Sequence, residues 1–573
     1  MMFLKLSKQL FMGLAIILMA GSCLTGVHVM AQMTTIHVQN FGATPGDGID
    51  DLPGIQAAID EAVAQGGNYR IQFATGVYEL DQPWGDCLLI QDTPNLILEG
   101  AVDAQGNPAT RFLRRHDYHL NGNYPKAILR VKNCDDFTLK NISFDNFPQF
   151  TSAATVVDKV GDQIMVEVLE GLPVVGNVRP YCSNLWDPTT KNLRQVASPT
   201  YGSDTEQNDL MWQTVPGGNG RYLSLTGEHL ASKVEEGDLL SWHFGFKGIQ
   251  INIDRCDRLT LDNLLTVNAI GFGISTSYCH DIQADKVVFK AEGNQLAVGS
   301  RDAWKLYGCD GDVVVDNMYV EGVRWDGQNV HGTFMLVKER VNDQTLVVYK
   351  RYTTFKPLTP GSRVSFWDGT QEVDRIVATC SEGEIKTDAP YTRAEATLTL
   401  TEVLPPFVTI DTLTSVHEWD IDSYTLQNSV FRNIAGCASI LRNQTALFEG
   451  CTYEYIMYPA ILLGASVPEG EGTFPKDVTI RDCIFRTSGW ASRHSATGCL
   501  VVKTKGDGQF MDEVLIEDCT FEDADIGINI FDSNKVIMKS NTFNNINTHY
   551  QVAYPETAVL ILGGPQQLIG PLQ

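Results

Sequence analysis

Basic side chains are scarce in this 573-residue chain. Lys and Arg number 43 against 69 Asp and Glu, for a net charge of −26. So acidic a surface repels a phosphate backbone, which excludes nucleic acid as a partner class. Also missing are a Gly-rich phosphate loop, a GxSxG elbow and an HExxH helix, so nucleotide and zinc-peptidase chemistry have no support. None of the 13 cysteines forms a close CxxC pair, and zinc has no ligand spacing to use. Asp-rich turns are frequent, yet none has the spacing that compels calcium. No metal or cofactor is therefore expected. Beyond the N-terminus no apolar run is long enough to span a bilayer.

The N-terminus itself is apolar. Lys5 and Lys8 precede a run from Leu10 to Ala20, followed by small residues. That length suits a secretory signal better than a spanning helix. Cleavage after Val29-Met30-Ala31 is the favoured reading; Ala20-Gly21-Ser22-Cys23 loosely resembles a lipobox and would leave Cys23 lipidated. Both export the mature chain, and membrane attachment is expected only if Cys23 is lipidated. Cysteines in an exported chain suggest disulfides, but Cys134, Cys256, Cys279, Cys309, Cys451, Cys483 and Cys519 occupy equivalent points of a repeat. Stacked, buried free thiols are the better expectation.

After residues 1–31, the segment Ile36–Val63 reads as a short strand, a Gly/Asp/Pro turn and a helix with Ile55, Ala58, Ile59 and Ala62 on one face. Short strands follow, each ending in a polar pair and an aromatic: Phe144, Phe431, Phe485, Phe521 and Phe543. Phe431 to Tyr453 and Phe521 to Phe543 are both 22 residues. A fixed period of this length marks a solenoid whose coils bury their apolar faces by stacking. The fold class is therefore all-β, a right-handed parallel β-helix with an N-terminal capping helix. Two stretches, 152–246 and 333–411, break the repeat with alternating Val/Thr/Tyr-rich strands. They read as two inserted small antiparallel β-barrel-like subdomains, the second forming a wall of the site. The coils then fall into 32–151, 247–332 and 412–573.

The chemistry concentrates between Ser300 and Gly332. Asp302 and Asp326 are 24 positions apart, about one coil, which brings them to one face. An inverting glycosidase needs such a pair, one carboxyl as acid and one as base, roughly 6.5–9.5 Å apart. Rungs are spaced by ~4.8 Å, and a lateral offset between corners would widen the gap. The competing reading is that Asp in solenoid turns caps its own backbone. Arg301, Lys305 and Arg324 crowd the same region. They read first as neutralising the acids and second as binding an anionic, sulfated or uronic, sugar. Glu292 and Glu321 are reserve acids.

The cap, the coils, the two insertions and the order of motifs resemble glycoside hydrolase family 110, exported β-helix enzymes that remove terminal α-1,3-linked galactose with inversion. Asp302-Ala303-Trp304 and Cys309 match an Asp-Ala-aromatic start before a Cys-containing turn. Trp325-Asp326-Gly327-Gln328-Asn329-Val330-His331-Gly332 matches an Asp-Asp-Ala-x-Asn-Val-His-Gly loop, with Trp325 in place of the first Asp and, earlier, Lys305 in place of a His. The stretches Leu441–Leu447 and Ala460–Gly464 are also similar. The resemblance implies Asp302 as general acid and Asp326 as base. Trp325, Asn329, His331, Arg442, Trp304 and Arg301 are expected to bind the substrate, an oligo- or polysaccharide; the alternatives are that Asn329 belongs to an internal ladder, His331 satisfies its loop and Arg442 is solvated or paired. Trp325 either desolvates the acid or offers a platform to a sugar face. Two other readings remain: a polysaccharide lyase or polygalacturonase-like enzyme on the same fold, or a non-catalytic glycan-binding β-helix. The sequence leaves oligomeric state open.

Overall fold

A computed structural model describes residues 33–116, 125–201, 210–351, 358–369, 371–386, 393–506, 512–531, 533, 535–552, 559–563 and 567–568. The expected signal segment and Cys23 lie outside these. Among the described residues no helix is long and apolar enough to cross a membrane.

Thirty-two strands join in a parallel β-helix. Each coil contributes three short strands, and each strand pairs with its equivalent on the next coil. One face runs Asp310–Asp316, Ser423–Gln427, Thr445–Glu449, Asp477–Arg481, Glu513–Glu517 and Lys535–Lys539. Side chains alternate, so Val478, Ile480, Val514 and Ile516 are buried inside while their neighbours face out. The polar pair after each strand has a backbone reason: Asn317, Asn428, Asp482 and Asp518 all adopt φ of 50–54°. Asn and Asp tolerate this left-handed bend better than other side chains bearing a Cβ.

The 22-residue aromatic signal becomes a ladder. Phe431, Tyr453, Phe485, Phe521 and Phe543 stack with ring centroids 4.7–5.4 Å apart. The thiols stack too: all described cysteines are free, and the Cys279 thiol accepts from Cys256 N at 3.3 Å. At the N-terminal end, the helix Leu52–Ala64 buries Ile55, Ala58, Ile59 and Ala62 over the first coil. It covers an apolar end that would otherwise meet water.

The insertions are antiparallel as expected and differ from expectation in two details, the closure of the first and the end of the second. The first is an open six-stranded antiparallel sheet, not a barrel. Thr151–Val160 lies inside it, paired with Gln163–Val168 and Leu239–His243. Among the described residues its two end strands, Tyr181–Trp186 and Gln213–Thr214, do not pair with each other. The second insertion is a closed six-stranded barrel. Its closing strand, Leu413–Val416, lies beyond the expected boundary at 411 and pairs with both Phe334–Arg340 and Arg363–Trp367. The coil register survives this barrel: Gln328–His331 pairs directly with Ser439–Arg442.

Candidate active site

Three coils build the site. Trp304–Tyr307 pairs with Gln328–His331, which pairs with Ser439–Arg442. Asp302 and Asp326 precede the first two of these strands at the same point of consecutive coils, joined by a hydrogen bond from Ala303 N to Asp326 O of 2.9 Å. The lateral offset expected from the sequence is therefore absent. The Asp326 side chain reaches forward to the next coil, where its Oδ1 accepts from Cys437 N at 2.9 Å. That coil closes tightly here: a Cβ on Gly436 would lie 2.1 Å from the Trp325 carbonyl oxygen, so glycine is required.

A cavity of about 320 Å³ opens beside Asp302, lined by Arg301, Asp302, Lys305, Trp325, Asn329 and Arg442 from the coils; Asp326 does not line it but lies buried one coil further on, behind Trp325 and Arg493. Asp302 is 2% exposed, and its Oδ1 has no hydrogen-bond partner. Burial first, then the charge of Asp326, pushes its pKa up to about 6, against the pull of Arg301, Lys305 and Arg493. Asp326 is fully buried: its Oδ1 accepts from the Cys437 N–H, and its Oδ2, without a hydrogen-bond partner, lies 4.0 Å from Arg493 Nη2. Asn329 is buried with Oδ1 unpartnered. Its register neighbours are Lys305 and Ile440, so it is not part of an Asn ladder. Arg442 is buried and forms an ion pair with Glu471, and burial lowers its pKa to about 10. Trp325 is half-buried, with the guanidinium carbons of Arg324 and Arg493 5.1 and 4.9 Å from its ring centroid.

Several expected residues stand elsewhere. Trp304 points into the coil, fully buried, and its Nε1 donates to Thr276 Oγ1 at 2.9 Å. Strand alternation puts it inside with Leu306, so it cannot touch a sugar in the cavity. His331 faces outward but is covered. It stacks on Tyr307, Nδ1 donates to Gly332 O at 2.6 Å, and burial holds its pKa well below the usual value. It does not line the cavity; it stands behind Glu471, 3.7 Å from Oε1. Glu292 pairs with Arg111 at the surface and Glu321 accepts from Tyr319 Oη, so the reserve acids are remote. Arg324 is wholly buried, donating to Ala435 O at 2.9 Å, outside the cavity.

The second insertion is not a wall either: among the described residues, none of 334–416 lines the cavity. It acts as a buttress. Phe334 and Trp367 of the barrel pack on Phe474, and Lys476 pairs with Glu372 at 2.7 Å. This holds the loop 464–476, which supplies Glu469 and Glu471. Glu471 binds Arg442, and Lys305 at 3.3 Å. Glu469 pairs with Lys505. Arg493 and His494 come from the loop 489–499, and burial with nearby cations pushes the His494 pKa to about 3. These residues were missed in the sequence. The available signal was the lengthened gap between repeats: the loop 489–499 inserts at the corner of the two acids, and the loop 464–476 at the other end of the same row of strands, where the barrel also leaves.

Residues 415–565 match the family model described as "Right handed beta helix region". That defines the class: the chain is a right-handed β-helix protein. Among curated proteins it is similar to alpha-1,3-galactosidase A of Streptomyces avermitilis, 22% identical over 551 residues, covering 84% of each chain. It is also similar to alpha-1,3-galactosidase B of Bacteroides fragilis, 26% identical over 517 residues, covering 79% of this chain and 80% of the relative. The family resemblance read from the motifs thus extends over most of the chain. Among solved structures, a family 28 exopolygalacturonase of Yersinia enterocolitica is 9% identical, covers 91% of this chain and 77% of its own, and superposes with a TM-score of 0.40. At that score the likeness carries nothing further.

Proposed function

We propose that this chain is an exported, exo-acting glycoside hydrolase that removes a terminal α-linked galactose with inversion. The observation that carries the reading is the pair of buried acids on consecutive coils, one pushed toward its protonated form and one partnered by a backbone N–H and 4.0 Å from a guanidinium. The relatives' names supply the sugar and the linkage. Protonated Asp302 gives its proton to the glycosidic oxygen as the bond to the anomeric carbon breaks. Asp326 takes a proton from the water that attacks the opposite face of that carbon. One acid ends ionised and the other protonated, and solvent resets both. Inversion is carried over from the resembling family; it requires the two carboxyl groups to stand ~6.5–9.5 Å apart, against ~5–5.5 Å for retention. A cavity of about 320 Å³ is at the small end of the ~300–1,000 Å³ usual for ligand clefts, which suits a terminal residue better than a long chain. Export rests on the Lys5–Ala31 segment.

The test is galactose release from α-1,3-galactobiose by the purified chain. Asp302→Asn and Asp326→Asn should each lower kcat by ~10²–10⁴-fold, and NMR should show β-galactose as the first anomer. The acid form of Asp302 is present below about pH 6, so kcat should fall as pH rises through that value. Full turnover in either variant sinks the assignment. Trp325, standing where the resembling family has an acid, favours one second reading, a glycan-binding β-helix without catalysis; binding with no turnover would establish it.

A further inference from the structure

The cavity is more cationic than a neutral sugar requires. Five cations line it, Arg301, Lys305, Arg442, Arg493 and Lys505, in a chain of net charge −26. Three of them are already answered: Glu471 pairs with Arg442 and Lys305, and Glu469 with Lys505. Arg301 forms no ion pair among the described residues, and the nearest carboxylate oxygen to Arg493 is on Asp326 at 4.0 Å.

Neutralising the acids accounts for these two arginines only in part: Arg493 stands 4.0 Å from Asp326, at the limit of an ion pair, and Arg301 has no carboxylate that close among the described residues. Both favour the charged form of Asp302 and so oppose its holding a proton. Each is also held by aromatic rings. The Arg301 guanidinium carbon lies 4.4 Å from the ring centroids of both Phe246 and Phe272. That of Arg493 lies 4.9 Å from Trp325 and 5.7 Å from Tyr458. Stacking occupies the faces of a guanidinium and leaves its in-plane fork of N–H donors for an anion. The Nε of each is buried with no hydrogen-bond partner. Position 325 contributes directly: it sets an indole, which carries no charge, against Arg493.

We infer that the cavity takes an anionic sugar, a galactoside bearing a sulfate ester or a carboxylate, gripped at its charged group by Arg301 and Arg493. The sugar ring rests on the glycosidase reading above; the charge rests on the arginine pair alone. Two charge-assisted hydrogen bonds from a fork select such a group over a hydroxyl by about tenfold or more.

Calorimetry on the full chain with galactose, its sulfate esters and galacturonic acid tests this without turnover. At least one anionic probe should bind about tenfold tighter than galactose, with an affinity that falls as salt rises. The sulfate and uronate arms identify the anion. Arg301→Gln and Arg493→Gln should each abolish the preference, and Arg301→Lys, which keeps charge without the fork, should retain part of it; thermal melting verifies that each is folded. Galactose binding as tightly as every anionic probe overturns the inference, as does a preference that survives both Gln variants. Hydrolysis of neutral galactosides with no anionic preference refutes this inference and leaves the proposed function standing. Anionic preference without hydrolysis of any galactoside, neutral or charged, does the reverse.

Discussion

The C-terminal coils and the corner at Asp302–Asp326 obey the same geometry with opposite results. In both, in-register parallel pairing sets like residues one above another. Among the coils that brings Tyr453, Phe485 and Phe521 into contact, where apolar burial and ring stacking reinforce each other. At the corner it brings two buried carboxylates together, and repulsion adds to desolvation. A solenoid thus turns one local rule into either stability or reactivity, depending on what occupies the repeated position.

Three substitutions sharpen this contrast, in descending order of effect. Phe485 is fully buried in the ladder, and Phe485→Ala should destabilise by about 3–5 kcal/mol in denaturant titration. A much smaller loss would show that the stack is not a source of stability. Asp302→Asn should act the other way. The folded pKa of Asp302, about 6, lies above its unfolded value of 3.8. The protonated acid is therefore favoured by folding, and the ionised form costs stability above about pH 6. The cost fades as pH falls through 6 toward 3.8. The variant should be more stable than the wild type at pH 8 by on the order of 3 kcal/mol, with the gain gone near pH 4. A gain independent of pH would contradict the account. Smallest is Arg481→Ala, which breaks an outward pair with Glu449 at 2.7 Å whose side chains are 40% and 34% exposed. The change should stay under about 1 kcal/mol and shrink further in salt.

Much of the fold is written in local spacing. The 22-residue return of aromatics, the polar pairs that take the left-handed bend and the apolar face of the capping helix are each set by residues near in sequence. The acids were legible as a pair because their offset of 24 equals the register offset of Trp304 and Gln328. Trp304 was misplaced by weighing the motif above strand alternation, which already put it inside with Leu306. Glu471 and Arg493 were not legible, because they enter on loops whose path is fixed by tertiary packing, Phe474 against the barrel for one and Arg493 over Trp325 for the other. An open sheet and a closed barrel look alike in sequence, since both are runs of alternating strands. Closure depends on whether edge strands meet, as Leu413–Val416 does with Phe334–Arg340.

The register that runs uninterrupted past the barrel bears on the order in which the chain folds. Tyr424 pairs with Ala446 over 22 residues, whereas Gln328 must find Ser439 across 111. Closing the longer loop costs about 1.4 kcal/mol more in chain entropy, and distant contacts form slowly. The C-terminal coils should therefore wind first, with the seam that carries Asp326 against Cys437 zipping later. In pulse-labelled hydrogen exchange, the amides of Val478 and Val514 should gain protection before those of Gln328 and Cys437. On this account the molecule acquires its scaffold early and its reactive corner among the last of its parts.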